Sequence, residues 1–214
     1  MAKILEKGAS LASGHHLLGD PDTLLPLWPP ISQHAKAGDA STPVEVAYAY
    51  ERADRRLFAQ PPLPGLERWA PVLPPLAPGL SMAEGGTALV LAPELAAWAG
   101  LGGELLIKDE SRNPTWSHKD RFNLCSISVA IATGARGVVL SSSGNHGASA
   151  AAYAARAGLP CIVLISRDTP PAVQSFVRAY GAAVLAVPPE GSQALISQII
   201  ERLGYHYAHH AWGS

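Results

Sequence analysis

Lys119 closes a polar loop that enters from a strand and leaves into a helix: Lys108-Asp109-Glu110-Ser111-Arg112-Asn113-Pro114-Thr115-Trp116-Ser117-His118-Lys119-Asp120-Arg121. An ammonium is disfavoured at a helix N-terminus, where the macrodipole is positive. The same field favours loss of the proton, and an amine with an ordinary pKa of about 10.4 is neutral in roughly one molecule in two to three thousand at pH 7. A neutral amine attacks an aldehyde. The competing reading is a plain surface charge, since lysine is common at such junctions.

A second strand-to-helix junction reads Ser141-Ser142-Ser143-Gly144-Asn145-His146-Gly147. Small residues and glycines expose backbone N–H groups there, which makes an anion cradle. A polar turn with a helix cap accounts for the same residues, so both readings stand. Neither G-x-G-x-x-G nor a Walker lysine is present, which disfavours a dinucleotide fold or a P-loop.

Taken with Glu84-Gly85-Gly86-Thr87 and Asn113-Pro114-Thr115, the two loops in this order and spacing resemble threonine synthase and its fold type II pyridoxal-phosphate relatives, over roughly residues 80 to 190. The resemblance implies an α/β protein in which a small parallel-sheet βαβαβ domain accompanies an incomplete large α/β domain. It implies pyridoxal 5'-phosphate as cofactor, with Lys119 as the Schiff-base lysine that also shuttles the substrate α-proton. It places Asn145 against the cofactor's ring oxygen, and Ser142, Ser143, Asn145 and His146 in the loop over the substrate carboxylate.

The implied activity is a lyase acting on an amino acid, for threonine synthase the replacement of phosphate on O-phosphohomoserine by water. A threonine or serine dehydratase and a cysteine synthase relative share both loops in modified form, while Asp120-Arg121 leans toward threonine synthase. The chain departs from the pattern at Trp116, where glycine is usual, and at His118, where phenylalanine is usual. The glycine-rich loop that grips the cofactor phosphate late in such chains has no counterpart after residue 190, where Gly191, Gly204 and Gly213 are isolated. The 214 residues are therefore expected to be catalytically incomplete, as a fragment or a truncated, non-catalytic interaction module.

The elements that must position these loops follow from pattern. Val138 to Leu140, Cys161 to Ile165 and Ala183 to Val187 read as strands buried on both faces. Helices are expected from Ala148 to Ala157, Ala172 to Tyr180 and Ser192 to Leu203, the last with Ser192 as cap and Leu195, Ile196, Ile199, Ile200 and Leu203 as its buried stripe. That rhythm is βαβαβα, a small parallel sheet whose ligand belongs at the strands' carboxyl ends. Upstream, a helix near Ala92 to Ala99, a strand Glu104 to Lys108 and a helix from about Asp120 to Thr133 are expected. Prolines make residues 1 to about 80 irregular, apart from one helix from Pro43 to Phe58 capped by Thr42.

These readings divide the chain into a proline-rich segment 1–80 and a part 81–133 with Lys119, both of the large domain, a small domain 134–204, and a return toward the large domain over 205–214. The balance of 16 basic and 17 acidic residues, without a basic block, argues against nucleic acid as a partner. An amino acid is the expected small-molecule partner, and a homodimer is expected for the full-length form. No signal-peptide core or membrane-length apolar run appears, so a soluble, cytoplasmic protein is expected. Cys125 and Cys161 read as buried free thiols. His206 and His210 stand i, i+4, but alternation with Tyr205 and Tyr207 argues against a helix there, and no metal site is expected.

Overall fold

The computed structural model describes residues 10–17, 19–27, 44–54 and 65–208. Its first elements are strands β1 (Ala12–Leu17), β2 (Asp20–Pro26) and β3 (Val44–Tyr48), an antiparallel sheet in the order β2-β1-β3. The described part of the proline-rich start is thus not irregular, and over the span expected to be a helix, Pro43 to Phe58, the described residues form a strand, Val44–Tyr48, followed by a 3-10 turn, Tyr50–Arg52. Val44, Val46 and Tyr48 alternate with Glu45 and Ala47, and this period of two in β-favouring residues prevails over helix propensity once β1 offers a partner. Thr42, Pro43, Leu57 and Phe58 lie outside the described residues. Pro21 and Pro26 are tolerated because β2 lies at an edge of the described sheet.

Next come β4 (Leu89–Leu91), α1 (Pro93–Trp98) and β5 (Leu106–Lys108), with β4 and β5 paired antiparallel. The rest of the fold alternates: α2 (Lys119–Ala132), β6 (Val138–Ser141), α3 (Asn145–Ala157), β7 (Cys161–Ile165), α4 (Pro171–Ala179), β8 (Ala183–Ala186), α5 (Pro189–Leu203) and β9 (His206–Tyr207). All pairings in the four-stranded sheet are parallel, in the order β8-β7-β6-β9. Residues 206–207, read from the sequence as leaving this unit, form its fourth strand.

The core lies between this sheet and α2 and α3. Leu124 and Ile127 of α2, Val138 and Leu140 of β6, and Val163 of β7 are fully buried, each stabilising by about 1.5–3 kcal/mol relative to exposure. The face of α3 is built of Ala148, Ala150, Ala151 and Ala154, and such small side chains let α2 approach closely. Gly158 ends α3 in the left-handed conformation, φ +70°.

Three sequence expectations are corrected in this unit, the first at Leu203, expected in the buried stripe of α5 but 43% exposed. The central strands β6 and β7 are buried, but β8 is largely exposed because it lies at the sheet's edge. Helix α5 begins at Pro189 with Pro188 as its N-cap, so Ser192 sits inside the helix rather than capping it. Proline suits a first helical turn, where its missing N–H would have no acceptor. Among the described residues no helix is long and apolar enough to cross a membrane.

Candidate active site

Helices α2 and α3 pack side by side, and two buried hydrogen bonds register their first turns. Ser149 Oγ donates to Asp120 Oδ1 at 2.6 Å, and Asn123 Nδ2 donates to His146 Nδ1 at 3.3 Å. Because Lys119 opens α2 and Asn145 opens α3, the two positions singled out in the sequence lie at adjacent helix starts. Lys119 is half-buried and its amine has no hydrogen bond or ion pair among the described residues; Asn145 is exposed and its side-chain amide is equally unengaged.

The loop before Lys119 is held by a buried carboxylate. Asp120, fully buried, accepts from the backbone N–H of Thr115 at 2.7 Å and from the Thr115 hydroxyl, besides Ser149. Trp116 N donates to Asn113 O at 2.8 Å, closing a turn, and Trp116 itself takes φ +60°. That left-handed backbone is disfavoured for a bulky residue and free for glycine, which explains why glycine is expected at this position.

A second network fixes the loop's upstream end. Arg121 grips Glu110 with both Nε (2.8 Å) and Nη2 (2.7 Å), and Thr87 Oγ1 donates to the same carboxylate at 2.7 Å. These bonds, the Arg121 guanidinium first, hold the Glu110 carboxyl far below its usual range, at about 2. Asn113 accepts from Gly85 N at 2.9 Å, and Arg121 Nη2 donates to Gly85 O at 3.1 Å. Gly85 takes φ +94°, and a Cβ there would lie 2.9 Å from Arg121 Nη1. Glu84, fully buried, accepts from Ser81, from Met82 N and from the Tyr153 hydroxyl of α3. Burial, then the bond to Glu84, pushes the Tyr153 hydroxyl pKa up.

In the second loop, Ser142 Oγ accepts from Gly147 N at 2.9 Å and Gly144 N at 3.3 Å, capping the start of α3. Ser143 is exposed, and its Oγ accepts from Thr169 Oγ1 at 2.9 Å, tying this loop to the one after β7. His146 is 3% exposed, and its Nε2 donates to the Ala208 carbonyl at 2.8 Å while Nδ1 accepts from Asn123. Its imidazole therefore joins α2, α3 and the end of β9. His118 is exposed at the N-cap of α2 without a capping bond. His206 lies in β9 rather than on a helix, and burial holds its imidazole pKa down at about 4; His209 and His210 are outside the described residues.

Sequence reasoning missed the scaffold: Asp120 with Ser149, Glu84 with Tyr153, and Glu110 with Arg121. Their signal was present only as charged residues inside otherwise recognisable loops, because the partners that bury them come from up to 69 positions away.

Residues 80–214 match the sequence profile of the family described as "Pyridoxal-phosphate dependent enzyme". The chain belongs to the pyridoxal-phosphate dependent enzymes. Among relatives of this pyridoxal-phosphate enzyme, threonine synthase of Synechocystis is 38% identical over 146 residues, 66% of this chain and 37% of that one. Threonine synthase of Mycobacterium leprae is 45% identical over 103 residues, 48% of this chain and 26% of that one. The solved structure of the threonine deaminase of T.th. is similar with a TM-score of 0.50 and 31% identity, over 57% of this chain and 39% of that one. The fold is that of the fold type II pyridoxal-phosphate enzymes, and the chain spans little more than a third of the length of the first relative it matches.

The donor set fits the aldehyde end of pyridoxal phosphate. An unpartnered primary amine at Lys119 and an unpartnered amide at Asn145 stand at neighbouring helix starts. A Cβ built on Gly144, between Ser143 and Asn145, would meet nothing within 4 Å, so the space before α3 is open.

Proposed function

We propose that this chain carries the lysine-bearing part of a lyase of the threonine synthase type, which converts O-phosphohomoserine and water to threonine and phosphate. The observation that carries the reading is that the Ser149–Asp120 and Asn123–His146 hydrogen bonds register the starts of α2 and α3, the two helices that Lys119 and Asn145 open. Relatives named threonine synthase, at 38% and 45% identity, support the choice of substrate.

Pyridoxal phosphate, when bound, supplies the electron sink for the bond broken at the substrate's α-carbon. Lys119 would hold the cofactor covalently through Nζ, and the same atom would take and return the substrate's α-proton. Asn145 would hold the cofactor's ring oxygen through its amide N–H. Ser142, Ser143, Asn145 and His146 form the loop over the substrate carboxylate, where His146 acts from beneath by fixing the first turn of α3 and Ser142 by capping it. Asp120 and Arg121 hold the Lys119 loop in place, which keeps the amine aimed.

The test is spectroscopic and then chemical. The protein purified with pyridoxal phosphate should absorb in the visible, and Lys119→Ala should abolish that band; an unchanged spectrum refutes the role of Lys119. Release of phosphate and formation of threonine from O-phosphohomoserine would establish the substrate. The similarity to threonine deaminase favours a second reading, a threonine or serine dehydratase, and turnover of threonine to an oxoacid without action on O-phosphohomoserine would establish it instead.

A further inference from the structure

Trp116 is anomalous in three respects. It carries a bulky side chain on a left-handed backbone, φ +60°, the residue is 66% exposed, and it lies three residues before Lys119. A conformation that costs a bulky residue free energy persists only where its surroundings hold it. The indole stacks on Phe176 of α4, with centroids 5.2 Å apart and planes 17° from parallel, and Phe176 in turn meets Tyr180 edge-on at 5.3 Å.

The other ties of this loop run elsewhere: Thr115 to Asp120 on α2, and Asn113 to Gly85 and Glu110. The stack thus links the Lys119 loop to α4, the helix that follows β7. The loop between β7 and α4 is itself bonded to Ser143 through Thr169 Oγ1 and Ser166 N. The aromatic pair therefore closes a ring of contacts from Lys119 through α4 to the Ser143 loop.

We propose that Trp116 is a positioning residue, clasped by Phe176, that holds the left-handed turn before Lys119 and so sets where the Lys119 amine stands before any ligand arrives. The role assigned to Lys119 rests on the function proposed above; the clasp itself is read from the chain alone.

The experiment is amide hydrogen exchange at Thr115, Trp116 and Lys119 in the 214-residue chain, in four variants. Phe176→Leu keeps apolar volume but removes the ring, and it should speed exchange at these amides by about 2- to 10-fold, the range for loss of one aromatic pair. Trp116→Phe keeps a stacking ring and should stay within about 2-fold of the parent. In a Trp116→Gly background, where the turn needs no clasp, adding Phe176→Leu should change nothing. Protection at Leu124 and Ile127, buried in α2, reports that the fold persists. Acceleration by Phe176→Leu that is equal with and without Trp116→Gly, or that is missing when Trp116 is retained, overturns the clasp.

A second readout is the rate at which pyridoxal phosphate acquires its lysine-dependent visible absorbance. The proposal requires that rate to fall in Phe176→Leu and to be kept in Trp116→Phe. Failure of the parent to acquire any band would refute the cofactor role of Lys119 while the exchange pattern still decides the clasp.

Discussion

Asp120 of α2 and Ser149 of α3 meet through a 2.6 Å hydrogen bond between side chains that are both completely buried. The same carboxylate takes two more bonds from Thr115, so one residue sets both the packing of the two helices and the course of the loop before Lys119.

Asp120→Asn should therefore be costly. An amide replaces one acceptor oxygen with an N–H that faces a donor, leaving buried polar groups unpaired, and the loss should be about 2–4 kcal/mol. Denaturant unfolding monitored by circular dichroism measures it. A change below about 0.5 kcal/mol would contradict the three-bond geometry.

The Glu110–Arg121 pair predicts a pH dependence. The Glu110 carboxyl is depressed from 4.5 to about 2, so its contribution is fully present above the unfolded-state value and is lost as pH falls from about 4.5 to about 2. Both side chains are more than a quarter exposed, so screening should limit the pair to about 1 kcal/mol. Stability measured at pH 6 should drop in Glu110→Gln, and the gap to the parent should narrow below about pH 4.5 and close only at about pH 2.

Ser142 and Asn145 should separate cleanly. Ser142→Ala removes the acceptor for two N–H groups at the start of α3 and should cost about 1 kcal/mol of stability. Asn145→Ala removes no side-chain hydrogen bond among the described residues and should leave the melting temperature within about 2 °C, while cofactor affinity falls about tenfold. Calorimetry and cofactor titration on the two variants check both halves.

Cys161 is buried, and burial pushes its thiol up to about 12. Alkylation at pH 7 to 8 should be slow in the folded protein and should accelerate in denaturant in step with unfolding. Fast labelling in native buffer would contradict the packing of β7.

The parallel unit was legible in the sequence because its signals are local. The apolar run Cys161–Ile165 became a strand with those bounds, and Gly158 stops α3 as a left-handed cap should. The first sheet was not legible, since Val44 to Tyr48 becomes a strand only through pairing with residues some thirty positions earlier. At the site, Lys119 and Asn145 stood out by chemical type and loop context. Asp120 and Glu84 did not, because no pattern near them says that Ser149 and Tyr153 will arrive to bury them.

The β4–β5 pair turns its side chains to water: Leu89, Val90, Leu91, Leu106 and Ile107 are each more than 40% exposed, beside Trp98 at 84%. Two short strands with greasy flanks and, among the described residues, unpaired rims form a self-adhesive ribbon. Handled at high concentration, such a ribbon recruits neighbouring molecules edge to edge, so light scattering that climbs steeply on concentrating the sample is the behaviour this surface imposes.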